Sequence, residues 1–180
     1  MTSDIDTPGS VRNLQNKLVL ITGGASGVGL ECAKHFAQLG SQLLLIGRNA
    51  EKLTHTCEML IEQFNVRAHS FSGDVRDSAF ADAAVAYAKN SLGCTVDVLI
   101  NNAGTIFRAD GCATDDEQWQ DVFDINVNGV FYFSRAVANQ MGGGGAIVNI
   151  SSSCGSVGSA GLAAYCASKG AVNMLTKAMA

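Results

Sequence analysis

The 180-residue chain is predicted to fold as one α/β domain, a doubly wound parallel sheet with helices on both faces, on three observations. Short apolar runs alternate with helical patterns, as in successive strand–helix–strand units. The runs are rich in Val, Ile and Leu throughout rather than alternating with polar residues, as strands buried on both faces must be. No repeat or internal linker divides the chain, whose length suits one sizeable core.

The first strand is "KLVLITG" (17–23), a short apolar run ending in Thr-Gly. A helix follows from Gly27 to about Leu39, with Leu30, Ala33, Phe36 and Ala37 at core spacing and Gly40 as its stop. "QLLLIG" (42–47) is the second strand, and Asn49 caps a helix from Ala50 to Phe64. "VRAHSFSGD" (66–74) contains the third strand, and Asp77 caps a helix ending near Ser91. "VDVLINNAG" (96–104) is the fourth. Thr114, followed by Asp115, Asp116 and Glu117, opens one long helix reaching about Met141. "GGGG" (142–145) breaks it, "AIVNISS" (146–152) is the fifth strand, and a last helix runs from about Ala164. Residues 1–16 read as a flexible tail, and 17–180 as the folded domain.

Composition narrows the partners. Twelve Lys and Arg against 16 Asp and Glu give a net charge of −4, with no basic stripe to attract nucleic acid or an anionic membrane. No apolar run approaches the ~18 residues of a membrane span. The tail lacks the basic and apolar regions of a signal or transit peptide. The six cysteines (32, 57, 94, 112, 154, 166) form no Cys-x-x-Cys and read as reduced thiols of a cytoplasmic protein. No metal site is expected. Cys166 reads as filler rather than nucleophile, since no His lies near it in sequence.

"TGGASGVG" (22–29) lies between the first strand and the first helix, where a helix N-terminus offers free N–H groups and a positive dipole end to phosphate. Gly23 allows a tight turn, Gly27 lets backbone approach a pyrophosphate, and Gly29 lets helix pack on strand. The alternative is an unliganded turn in a chain with 20 glycines. The spacing, G-x-x-x-G-x-G opened by Thr22, resembles the cofactor loop of the short-chain dehydrogenase/reductase family, in its short, single-domain branch rather than the extended epimerase branch.

Dinucleotide sites of this kind place an acid at the end of the second strand to hold the adenosine ribose. Here "LLLIGRN" offers Arg48 instead. A guanidinium clamps a 2′-phosphate bidentately, and Ser26 adds a hydroxyl, so NADP(H) is expected in preference to NAD(H). The alternative is a solvated arginine, set against the poor electrostatics of Arg at a helix N-terminus.

"AAYCASKGAV" (163–172) puts Tyr165 and Lys169 one helical turn apart on a single face. An ammonium ~4 Å from a phenol at effective ε ~20 contributes about 4 kcal/mol toward phenolate, which turns a weak acid into a usable general acid/base. Alone, Tyr-x-x-x-Lys is more often a solvated pair. The surroundings change that reading. Ser152 and "NNAG" (101–104) lie at strand ends, the rim that faces the ligand crevice of open α/β sheets. "NVNG" (126–129) is an odd placement of Asn and Gly within a helix.

Together the loop, NNAG, the helical Asn, the Ser and Tyr-x-x-x-Lys resemble the short-chain dehydrogenase/reductase constellation, in family order, over residues 17–180. The resemblance implies a Rossmann sheet of order 3-2-1-4-5 and hydride transfer between NADP(H) and a carbonyl or secondary alcohol. It makes Tyr165 the general acid/base and Lys169 its activator and a ligand of the nicotinamide ribose. Ser152, thirteen residues before Tyr165 and flanked by Ser151 and Ser153, would hold the substrate oxygen. Asn126 would anchor a water relaying protons from Lys169. Thr22, Gly23, Ser26, Gly27, Val28 and Gly29 would form the cofactor loop. Asn101, Ala103 and Gly104 would border the cofactor, and Asp74 and Val75 would meet its adenine.

Family members continue past this helix into two more strands, a substrate-covering loop and a Pro-Gly motif, so the chain is expected to be the N-terminal portion of a longer reductase. Without those strands, "AIVNIS" becomes an apolar edge open to another chain. The rival reading is a catalytically inactive dinucleotide- or partner-binding module. "TIFRADGCA" (105–113) is expected to line the substrate pocket without selecting a substrate. Relatives suggest a homo-oligomer joined through the long helix and the last one; "VFYFSRAV" (130–137) suits such an interface or the core equally.

Overall fold

β1 (Leu18–Thr22) occupies the centre of a five-stranded sheet, pairing in parallel with β2 (Gln42–Gly47) on one side and β4 (Val98–Asn101) on the other. β3 (Ala68–Ser72) extends the sheet beyond β2, and β5 (Ala146–Asn149) extends it beyond β4. The order is therefore 3-2-1-4-5, all parallel, the doubly wound Rossmann arrangement expected from the sequence. This computed structural model describes residues 14–110, 113–142 and 144–180; the expectations for residues 1–13, for Cys112 and for Gly143 lie outside them.

Alternation of side chains along each strand builds two cores from one sheet. Leu18, Leu20, Leu44, Ile46 and Leu99 face α3 (Ser78–Ser91) and α5 (Gly129–Ala138), where they meet Val85 and Phe133. Val19, Ile21, Leu43 and Leu45 face α1 (Gly27–Gln38) and α2 (Ala50–Phe64), meeting Ala33, Ala37, Leu53 and Leu60. Leu30 and Phe36, placed at core spacing, are only partly buried. β5 is an outer strand among the described residues, with Val148 44% exposed.

Two expectations need correction. The helix placed over 114–141 begins at α4 (Asp116–Phe123), with Asp115 rather than Thr114 as its cap. The Asp115 carboxylate accepts from the Gln118 N–H at 2.7 Å while the Gln118 side chain accepts from the Asp115 N–H, a capping box. A π-helical turn, Asp124–Asn128, then separates α4 from α5. The other correction concerns the tail, since residues 14–16 are held on the fold. The Asn16 N–H donates to the Gly40 carbonyl, and Ser41 and Gln42 side chains donate to the carbonyls of Leu14 and Asn16.

The glycine of "NVNG" has a packing reason. A Cβ on Gly129 would stand 3.1 Å from the Val75 Cγ2 and carbonyl, so glycine lets α5 start directly against the loop after β3. α6 (Ala163–Met179) lies against α4 and the π-helical turn, and a short 3₁₀ turn (Ser153–Gly155) docks on it.

Candidate active site

The carboxyl ends of β1 and β4 are tied together by two side chains. The Thr22 hydroxyl accepts from the N–H groups of Asn102 and Ala103, both at 3.0 Å. The Asn102 side chain donates back to the carbonyls of Thr22 and Gly23, at 3.0 and 3.2 Å. This clamp leaves no room for a side chain at Gly23 or Gly29. A Cβ on Gly29 would stand 2.5 Å from the Asn102 Nδ2, and Gly23 adopts φ +66° beneath the same carboxamide.

Beside the clamp lies a cleft of about 340 Å³, lined by Gly23, Ser26, Arg48, Asp74, Val75, Ala103 and Gly104 of the expected set. Lys52 and Ile125 also line it and were not singled out from the sequence, and Thr105 lines it from the stretch expected along the substrate pocket. Lys52 escaped because it follows the second strand's end by one helical turn, inside an ordinary helix pattern. The Ser26 side chain does not cap α1, which leaves the first N–H groups of that helix for an anion. With Arg48 and Lys52, these donors fit the phosphates of a dinucleotide. Asp74 is committed elsewhere: it holds Arg76 through both side-chain nitrogens Nε and Nη2, and Arg76 continues to Asp121 at 2.7 Å. Those bonds keep the Asp74 carboxyl below the usual carboxylate range.

Two expected cofactor residues are placed under the cleft rather than on it. Thr22 is buried in the clamp. Asn101 is buried too, donating to Ser134 Oγ at 2.9 Å and Asn149 Oδ1 at 2.8 Å, so it joins β4 to α5 and β5. Gly27, Val28 and Gly29 start α1 without lining the cleft.

Gly104 and Thr105 lead from the cleft to the tyrosine. A Cβ on Gly104 would lie 3.3 Å from the Asn126 Oδ1 and 3.8 Å from the Lys169 Nζ. Asn126, fully buried in the π-helical turn, pairs with Thr105 through both main-chain groups, at 2.8 and 2.9 Å. Its second amide hydrogen goes to the Ser168 hydroxyl at 3.0 Å, and Ser168 donates to the Tyr165 carbonyl at 2.8 Å. Both Nδ2 hydrogens are thus committed, so a water on Asn126 must donate to Oδ1 or to the main-chain carbonyl. Ser168, unnoticed in the sequence, is completely buried and joins the turn to α6.

Lys169 is 5% exposed and donates to the Ile150 carbonyl at 2.7 Å. Its ammonium stands over the Tyr165 ring, 5.8 Å from the centroid. Burial pushes its pKa below the ordinary 10.5. Ser151 donates to the Lys169 carbonyl and Ser153 is exposed. The Ser152 Oγ accepts from the Cys154 N–H at 3.2 Å, with its own hydrogen given to no described residue.

The parallel sheet, the glycine loop and the helical Tyr–Lys spacing define a doubly wound fold of the dinucleotide-binding kind, and sequence comparison places it in a family. Residues 17–180 match the family model described as short chain dehydrogenase, and the chain belongs to that family. It is 39% identical over 170 residues to gluconate 5-dehydrogenase of Gluconobacter oxydans, covering 93% of this chain and 66% of the relative. It is 39% identical over 171 residues to cyclopentanol dehydrogenase of Comamonas testosteroni, covering 93% and 67%. The L-sorbose reductase of Gluconobacter frateurii, solved with NADPH and L-sorbose, superimposes with a TM-score of 0.88 at 31% identity, over 93% of this chain and 64% of that one. The chain thus spans about two thirds of the length of these relatives.

Ser168→Ala is expected to cost about 1–3 kcal/mol in urea unfolding, because it strands a buried amide hydrogen of Asn126. Ser168→Thr, which keeps the hydroxyl, is expected to recover most of that; equal losses would refute the role of the hydroxyl.

Lys169 carries a pH signature. With its folded pKa below 10.5, the unfolded chain holds more protons between the two titrations, and stability rises with pH there. Relative to Lys169→Met, the native chain is expected to gain stability as the pH climbs toward 10.5. A relative loss over that range, read from urea midpoints, would contradict the burial argument.

Proposed function

We propose that the chain is the cofactor- and tyrosine-bearing part of an NADP(H)-dependent oxidoreductase that interconverts a carbonyl and a secondary alcohol. The observation that carries this reading is continuity: a cleft with an uncapped helix N-terminus, Arg48 and Lys52 leads through Gly104 and Thr105 to Lys169 and Tyr165. The phosphates would rest on the first turn of α1, with Arg48 and Lys52 on the 2′-phosphate. When bound, the nicotinamide supplies or takes up the hydride. Tyr165 gives its proton to the substrate oxygen in reduction and takes one back in oxidation, and the free hydrogen of Ser152 steadies that oxygen. Lys169, buried with one carbonyl partner, holds a positive charge beside the phenol.

Self-association belongs to the same reading. Trp119 and Phe131 are 40% and 38% exposed on α4 and α5, a surface suited to a second copy. A cytoplasmic setting is supported by the five described cysteines, all unpaired. The alternative, a partner-binding module without turnover, is favoured by the outer place of β5 among the described residues and its exposed Val148.

NADPH at 100 times its dissociation constant is expected to stabilise the chain by about 2.7 kcal/mol. Arg48→Ala is expected to weaken NADPH roughly 10- to 100-fold while leaving NADH nearly unchanged, as loss of a charged hydrogen bond dictates. Equal weakening of both cofactors in parallel titrations would remove the 2′-phosphate assignment. Tyr165→Phe deletes only the hydroxyl, and carbonyl reduction is expected to fall at least ~100-fold with NADPH affinity retained. Near-normal turnover would rule out tyrosine as the acid.

A further inference from the structure

The described arginines divide by what holds them. Arg76 is bound by Asp74 and Asp121, and Arg135 by Ser78 and the faces of Phe131 and Tyr132. Arg48, Arg67 and Arg108 make no ion pair or side-chain hydrogen bond to a described residue. Arg67 precedes β3, at the amino ends of the strands. Arg48 and Arg108 therefore stand as the two uncommitted guanidinium groups at the carboxyl-end rim, one after β2 and the other after β4.

Arg108 is placed by the loop that leaves the cofactor cleft. That loop passes Thr105, is pinned where the Ala109 N–H donates to the Gly161 carbonyl at 3.1 Å, and so meets the chain two residues before α6. Gly161, at φ +74°, leaves its open side to the arginine: a Cβ there would lie 3.6 Å from the Arg108 Cγ and 3.9 Å from Nη1. Tyr165 is the third residue of that helix. The acids nearby do not neutralise this guanidinium. Asp110 forms no ion pair with it, and Asp115, Glu117 and Asp121 line a second hollow, against Ile106 and Phe107, that Arg108 does not border. An exposed, unpaired arginine is thus held against Gly161, two residues before the helix that carries Tyr165, with five N–H donors open to a ligand in a chain of net charge −4.

We infer that Arg108 selects a substrate bearing a carboxylate, a hydroxy acid or keto acid whose acid group the guanidinium holds while its alcohol or carbonyl oxygen meets Tyr165. This rests on the oxidoreductase reading and adds the class of substrate to it. The fork geometry suits a carboxylate, and a neutral polyol forgoes the charge-assisted pair.

The test compares D-gluconate with D-glucitol, six-carbon ligands that differ by a carboxylate in place of an alcohol. Both are titrated calorimetrically into the chain, with saturating NADPH and without it, for the native protein, Arg108→Gln and Arg108→Lys. The native chain is expected to bind gluconate at least ~10-fold tighter than glucitol, the scale of one charge-assisted bond. Arg108→Gln is expected to erase the preference and Arg108→Lys to keep part of it, with NADPH affinity unaltered in both. A missing preference, one that survives Arg108→Gln, or no binding of either ligand would overturn the assignment. Failure of NADPH to bind would count against the oxidoreductase reading alone, because the acid-against-polyol comparison is also read without cofactor.

Discussion

The reciprocal bond set between Thr22 and Asn102 is the constraint on which the site is built. One hydroxyl and one carboxamide satisfy four main-chain groups at the point where β1 and β4 leave the sheet. Main-chain groups at a strand's end have no ladder partner, and burying them unsatisfied is costly. By meeting that need, the clamp turns the glycine loop toward α1 and sends the β4 segment across the mouth of the cleft. The glycines at 23 and 29 are required by the carboxamide they flank as much as by any ligand.

From that segment the geometry passes to Asn126. A regular helix would not bring its buried amide opposite Thr105; the extra residue of the π-helical turn does, with the Gly129 N–H reaching back to the Asp124 carbonyl. The same amide engages Ser168, so the wall of the cleft and the main chain of Tyr165 belong to one hydrogen-bonded unit. Lys169 and Tyr165 take their positions from this unit and from the Ile150 carbonyl, with no buried carboxylate among the described residues. That would suit the proposed proton-transfer role, since a buried acid would neutralise the Lys169 charge.

Much of this was legible in the sequence because the relevant signals are local. Apolar runs marked β1, β2, β4 and β5, the mixed β3 was read from its place between two helical patterns, and the glycine loop, Arg48 and the Tyr165–Lys169 spacing each lie within one strand–turn–helix unit. Features that escaped depend on distant partners. The π-helical turn is set by Thr105, 21 residues away from Asn126. Within "NNAG", both Asn101 and Asn102 are amides at a strand end, and only the pleat decides that the first joins α5 and β5 while the second clamps β1. Asp115 displaced Thr114 as cap because its carboxylate reaches the Gln118 N–H and receives the reciprocal bond, a choice between neighbours that composition does not make. Leu14–Asn16 read as tail because polar neighbours masked a single leucine that packs on the second core.

The central place of β1 also has a consequence in time. Its five residues are wholly buried or nearly so, yet its two neighbours arrive on different schedules. β2 follows within one helix, whereas Val98, the partner of Val19, lies 79 residues downstream. At about 5–20 residues per second of synthesis, the β4 side of β1 stays unpaired for roughly 4–16 s. A nascent chain therefore carries this apolar strand half covered while the next 79 residues are made, the interval in which a ribosome-associated chaperone would have something to hold.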